Sequence, residues 1–171
     1  AGDVQANGFQ IVEDDSPSET YTESGASYMG FAPSALAAYA LAEKPRYGIC
    51  FCGDGSFMMN PQILIDAVEL GVKGMIVIFD NRRMGAITGL QEAQYGTGFK
   101  TSDSVEIDYV RMSDAVKGVK AFFGGESTSE LKSALKKAYK HQGLSVIHVP
   151  VYFGDDPLGG MGAYGSWNVG S

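Results

Sequence analysis

The chain has 171 residues, 44% of them apolar and 19% charged, which suits one globular domain with a buried core and excludes a disulfide-stapled mini-protein. No stretch reaches the roughly 18 consecutive apolar residues of a membrane-spanning helix, so a soluble protein is expected. The formal charge of -7 argues against nucleic acid and anionic membranes as partners. Its placement is uneven: Asp3, Glu13, Asp14, Asp15, Glu19, Glu23 and Glu43 fall before the first Lys or Arg, and everything from Lys44 onward is neutral.

A single domain over 1–171 is expected, with an acidic lead-in over 1–24 and a Gly-rich tail over 151–171. In chain order, Pro33 to Lys44 is Ala/Leu-rich and predicts a buried helix with Pro in its first turn. Tyr47 to Cys52 predicts a buried strand, broken by Gly53-Asp54-Gly55-Ser56. Asn60 and Pro61 read as an N-cap and first-turn pair for a helix with Ile63, Leu64, Ala67, Val68 and Leu70 on its apolar face. Gly71 and Gly74 end it, and Met75 to Phe79 predicts a fully buried parallel-type strand closed by Asp80-Asn81. Asp108 to Val116 predicts a helix and Val119 to Phe123 a strand. Ser127 and Glu130 form a capping box for a helix that carries Leu131, Ala134, Leu135 and Ala138 on one face and stops at Gly143, before a last strand over Leu144 to Val149. The alternation predicts an α/β fold, a doubly wound, mostly parallel sheet with helices on both faces, whose ligands sit at the carboxyl ends of the strands.

Familiar motifs fail. There is no Walker sequence, and Gly160, Gly162 and Gly165 match GxGxxG too close to the end of the chain for the helix that motif needs. His141 and His148 read as structural, no Cys/His cluster has zinc spacing, and Cys50 and Cys52 read as packing residues of a reduced, cytoplasmic protein. The chain starts at Ala1 without Met or a signal peptide, which reads as a processed chain or a fragment.

What remains is Gly53-Asp54-Gly55-Ser56 and Asp80-Asn81, two polar clusters at the ends of buried strands. Asp54 offers a carboxylate, Asn81 an amide oxygen and Arg83 a backbone carbonyl, the hard oxygen donors that Mg²⁺ takes alongside phosphate and water. The glycines let backbone N–H groups approach phosphate, with the helix after Asn60 pointing its N-terminus that way. Either cluster alone reads as a turn. Together, at this spacing, they are specific.

The pair resembles the thiamine diphosphate fingerprint: GDG, about two dozen residues, then two Asn, of which Asp80 replaces the first and Asn81 matches the metal-ligating second. The resemblance implies a thiamine diphosphate-binding fold with Mg²⁺ on Asp54, Asn81 and the Arg83 carbonyl, and with Gly53, Asp54, Gly55 and Ser56 around the diphosphate. Upstream, Ser27-Tyr28-Met29-Gly30-Phe31-Ala32-Pro33 resembles the segment of acetolactate synthase-like enzymes that holds the aminopyrimidine. Met29 matches the wedge that bends the cofactor, and the Ser27 carbonyl matches the acceptor for its amino group.

Downstream, Met84-Gly85-Ala86-Ile87-Thr88-Gly89-Leu90-Gln91 follows the same pattern, with Ile87 and Leu90 as implied substrate-pocket residues. Leu90 stands where acetolactate synthases carry Trp. Phe79-Asp80-Asn81 and Gly165-Ser166-Trp167 are closer to the trihydroxycyclohexanedione hydrolase branch. The resemblance covers about Asp3 to Trp167 as the diphosphate-binding (PP) domain, with Gly2-Asp3-Val4 where that domain finishes its first strand. It implies an enzyme that cleaves or forms C–C bonds next to a carbonyl, working as a dimer or tetramer with a pyrimidine-binding (PYR) domain. That domain, which supplies a catalytic Glu, belongs to a partner chain or to the remainder of a longer polypeptide. Two alternatives are the PP subunit of a two-chain 2-oxo acid decarboxylase, such as sulfopyruvate decarboxylase, and a non-catalytic regulatory homologue.

Overall fold

The structure, a computed structural model, describes residues 1–16, 19–23, 26–102 and 104–151. Eleven elements follow one another: α1 (Gly2–Ile11), α2 (Phe31–Tyr39), β1 (Gly48–Gly53), α3 (Asp54–Met58), α4 (Ile63–Glu69), β2 (Gly74–Asp80), α5 (Gly85–Tyr95), α6 (Tyr109–Asp114), β3 (Lys120–Phe123), α7 (Thr128–Lys140) and β4 (Leu144–Pro150). The four strands form one parallel sheet in the order β1-β2-β4-β3. The crossover from β2 to β3 skips a place that β4 fills, and α7 returns on the opposite face, as right-handed connections require when progression across the sheet reverses.

Both faces are apolar, as parallel strands demand. On one, Cys50, Cys52, Ile76, Ile78, Leu144 and Val146 pack with Leu36 and Ala37 of α2, Phe57 of α3, Leu64 and Ala67 of α4 and Tyr109 of α6. On the other, Met75, Val77, Ile147 and Val149 meet Ala134 and Ala138 of α7. Cys50 and Cys52 are free and buried in the first cluster, as packing residues are; a hydrogen bond to Cys52 and burial push the Cys50 thiol well above its ordinary range.

The predicted strands and helices recur with shifts of one to five residues, and the doubly wound parallel fold holds. The capping box at Ser127 forms, with its Oγ accepting from the Glu130 N–H at 3.4 Å and donating to the Glu130 carboxylate at 2.6 Å. Four expectations need correction. Gly2-Asp3-Val4 opens a helix rather than finishing a strand, because Ser27 Oγ accepts the Gly2 N–H at 3.0 Å and Gln5 Nε2 reaches the Glu23 carbonyl at 2.6 Å. The acidic lead-in therefore contains an ordered element, α1, against β1. Asn60 does not cap α4: residues 60–62 make a turn, Gln62 holds the cap position, and Asn60 Nδ2 donates instead to Ser34 Oγ. The helix that starts where β1 ends is α3, and Asp54 is its first residue. Beyond these, α5 was not foreseen. The expected tail over 151–171, with Gly160, Gly162, Gly165, Ser166 and Trp167, lies outside the described residues after Val151.

Candidate functional site

Strand register builds the site. Cys52 pairs with Ile78 and Gly53 with Phe79, so the residues that follow, Asp54 opening α3 and Asp80 ending β2, fall side by side beyond Cys52 and Ile78. Ile78 also pairs with His148, so β4 adds an imidazole to that face. Asp54 is 5% exposed and Asp80 8%.

Burial pushes the Asp54 carboxyl up to about 6, the neighbouring Asp80 carboxyl adds to the rise, and the Gly55 and Arg82 N–H groups oppose it. When protonated, Asp54 donates to Asp80. Asp80 has two further partners: its Oδ1 accepts the Arg82 N–H at 3.1 Å, and its Oδ2 accepts from His148 Nε2 at 2.9 Å. Asn81 Oδ1 accepts the Arg83 N–H at 3.1 Å. Arg82 between them has φ of +51°, the left-handed region that costs a non-glycine residue about 1 kcal/mol or more.

The chain beyond the turn is held on both sides. Met84 N–H donates to the Thr101 carbonyl at 2.7 Å, Thr88 Oγ1 donates to the Met84 carbonyl at 3.0 Å and bonds Thr101 Oγ1 at 2.7 Å, and Arg83 pairs with Glu92 at 3.8 Å. Gly85 and Ala86 form the first turn of α5, and Ile87 and Leu90 stand half-exposed on it with Met84 before them.

Upstream, the Gly30 N–H donates to Ser56 Oγ at 2.8 Å, tying the 27–30 segment to α3. A Cβ added at Gly55 would stand 3.0 Å from Met29 Cε, so the Met29 side chain lies over the glycine of the GDG motif. Met29 and Tyr28 face outward, and Ser27 is half-buried with φ of +55°. The structure thus gathers Ser27, Met29, Gly53, Asp54, Gly55, Ser56, Asn81 and Arg83 at one end of β1 and β2. Tyr28, Met84, Ile87 and Leu90 are among the exposed apolar residues.

The donors are hard oxygens: two carboxyls, an amide and a backbone carbonyl. Among the described residues no three His, Cys, Asp or Glu side chains form a metal cage on their own. The buried acid pair, with Asp54 held above its ordinary range, is chemistry that a cation would relieve. The sequence reading of His148 as structural did not name its partner, Asp80, and did not foresee that Asp80 brings a second carboxyl beside Asp54. The signal was there: Asp80 and His148 keep the two-residue alternation of Ile76-Ile78 and Leu144-Val146.

Fold and site define an α/β domain with a polar cluster at the carboxyl edge of a parallel sheet, where sheets of this kind take their ligands. Residues 1–149 match the family described as thiamine pyrophosphate enzyme, C-terminal TPP binding domain. The chain belongs to that family, which makes thiamine diphosphate its cofactor. It is 32% identical over 176 residues to the 3D-(3,5/4)-trihydroxycyclohexane-1,2-dione hydrolase of Shouchella clausii, an alignment covering 99% of this chain and 26% of that protein. It is 36% identical over 127 residues to a probable acetolactate synthase large subunit of Methanococcus aeolicus, covering 71% of this chain and 20% of that protein. The fold aligns with benzoylformate decarboxylase from Polynucleobacter necessarius with a TM-score of 0.65 and 26% identity, over 72% of this chain and 24% of that one. The chain thus spans about a quarter of the length of these relatives. Among the described residues no helix is long and apolar enough to cross a membrane.

Proposed function

We propose that this domain anchors thiamine diphosphate through Mg²⁺ in an enzyme that cleaves or forms a C–C bond next to a carbonyl. The observation that carries the reading is the buried Asp54–Asp80 pair at the ends of β1 and β2, beside the Asn81–Arg83 turn. Asp54, the Asn81 amide oxygen and the Arg83 carbonyl hold the cation, which offsets the charge of both the carboxyls and the diphosphate. Gly53, Gly55 and Ser56 receive the phosphate oxygens, the glycines by leaving the backbone open to close approach. Met29, Tyr28 and the Ser27 carbonyl seat the pyrimidine, and Met84, Gly85 and Ala86 border the cofactor as α5 begins.

Thiamine diphosphate held by these residues would supply the nucleophilic carbon and the electron sink that C–C bond cleavage or formation next to a carbonyl needs. The part of this chain is to fix the cofactor's position and bend, and to exclude water from the diphosphate end. Ile87 and Leu90 present an apolar wall to the substrate. The catalytic Glu comes from a PYR domain, on a partner chain or elsewhere in a longer polypeptide, in a dimer or tetramer with complete sites.

The hydrolase relative, aligned over nearly the whole chain, favours a cyclic 1,2-dione as substrate, and the structural likeness to benzoylformate decarboxylase favours a 2-oxo acid as the second reading. Calorimetric titration of the complete enzyme with thiamine diphosphate, with Mg²⁺ and with EDTA, tests the anchor. Binding that requires Mg²⁺ and is lost in Asp54→Ala is expected, and an unchanged affinity in that variant overturns it. Turnover of a cyclic dione against a 2-oxo acid separates the two substrate classes.

A further inference from the structure

His148 lies one strand beyond the carboxyl pair, and its side chain is held on three sides. Its Nε2–H donates to Asp80 Oδ2 at 2.9 Å, and its ring sits against Tyr109 of α6 at 5.2 Å between centroids and against Phe123 of β3 at 5.7 Å. The side chain is 13% exposed and that of Asp80 7%. Two aromatic neighbours fix the plane of the ring, and the ring then fixes the carboxyl.

The opposite oxygen of Asp80 accepts the N–H of Arg82, the residue with φ of +51° between Asn81 and Arg83. A path of two hydrogen bonds therefore runs from β4 through Asp80 to the middle of the turn. A left-handed backbone at a non-glycine residue persists only where its surroundings impose it, and the Asp80 carboxyl, with that of Asp54 beside it, takes the Arg82 N–H here. Packing alone does not explain an imidazole at 148, because an apolar ring fills the space between Tyr109 and Phe123 and donates nothing to Asp80.

We propose that His148 is a positioning residue for the cation site: by holding the Asp80 carboxyl in one orientation it keeps Arg82 in the left-handed turn that sets Asn81 relative to Arg83. This rests on the reading of Asn81 and Arg83 as cation ligands. It requires no contact between His148 and the cofactor, and it assigns the imidazole a task that a second donor of similar reach can perform.

The test is a Mg²⁺ titration of the complete apo-enzyme at fixed thiamine diphosphate, followed by calorimetry, with thermal unfolding recorded in parallel. His148→Phe keeps a ring between the two aromatics and removes the donor, and His148→Leu replaces it if the phenyl group disturbs the fold. A rise of at least tenfold in the Mg²⁺ concentration for half-saturation is expected. His148→Gln, whose amide N–H donates to Asp80, restores most of it. Arg82→Gly in the His148→Phe background also restores it, because glycine adopts a positive φ without being held there. Affinity within twofold of wild type in His148→Phe overturns the proposal. So does a loss that neither Gln at 148 nor Gly at 82 reverses, which marks damage to packing. If the wild-type enzyme itself binds without Mg²⁺, the cation reading falls and the tether falls with it; Mg²⁺-dependent wild-type binding with an indifferent His148→Phe sinks the tether alone.

Discussion

Under α2, α3, α4 and α6, the sheet presents three apolar columns, Cys50-Cys52, Ile76-Ile78 and Leu144-Val146, and each ends at the carboxyl edge in a polar residue, Asp54, Asp80 or His148. On the reverse face α7 covers Met75, Val77, Ile147 and Val149, and β1 is left partly open, with Ile49 52% and Phe51 46% exposed. The difference is one of desolvation. Carboxyls that terminate a fully covered column sit where water is scarce, so charge there costs enough to favour a proton or a cation. The open face gives its residues no such environment, with Ile49 and Phe51 about half exposed.

That contrast can be broken or sharpened by measurement. Ile78→Ala removes the centre of the covered columns and is expected to cost about 2–5 kcal/mol of stability, read by chemical denaturation. A loss below about 1 kcal/mol would mean that the covered face is loosely packed. The acid pair gives the next effect. Because the folded Asp54 titrates at about 6 rather than 3.8, it binds its proton more tightly than the unfolded chain does. Its contribution is therefore full below about pH 4 and disappears as pH rises through 6. In EDTA, wild type should lose stability relative to Asp54→Asn between pH 4 and 7, and the opposite slope would contradict a desolvated Asp54. Added Mg²⁺ with thiamine diphosphate should reverse the loss. Phe51→Ala on the open face is expected to cost less than about 1 kcal/mol; a cost matching Ile78→Ala would erase the distinction between the faces.

The same contrast decides what could be read in the sequence. Short apolar runs bounded by Gly, Asp and Asn were enough to place β1, β2 and β4 and to find Asp54 and Asn81 at strand ends, because period and punctuation are local. Asn60 misled because its neighbour Pro61 satisfies the local rule for a helix start, whereas Ser34, a distant residue, competes for its side chain. Helix α1 was hidden behind an acidic composition whose charges mostly lie after Ile11. The link from His148 to Asp80 depends on β4 pairing with β2 rather than β3 following it, and no local pattern carries that order.

Strand order also imposes a timetable. Asp80 and His148 are 68 residues apart, and the slot beside β2 stays vacant until α6, β3 and α7 have been laid down and β4 inserts between β2 and β3. Pairings this distant in sequence are slow to form, since the loop must be closed before any contact rewards it. Growing from its N-terminus, the polypeptide has both acids early and acquires the His148 imidazole after them. The β1–β2 pair can assemble first, and the turn over 81–83 gains its link to β4 only when the last described strand locks into the middle of the sheet.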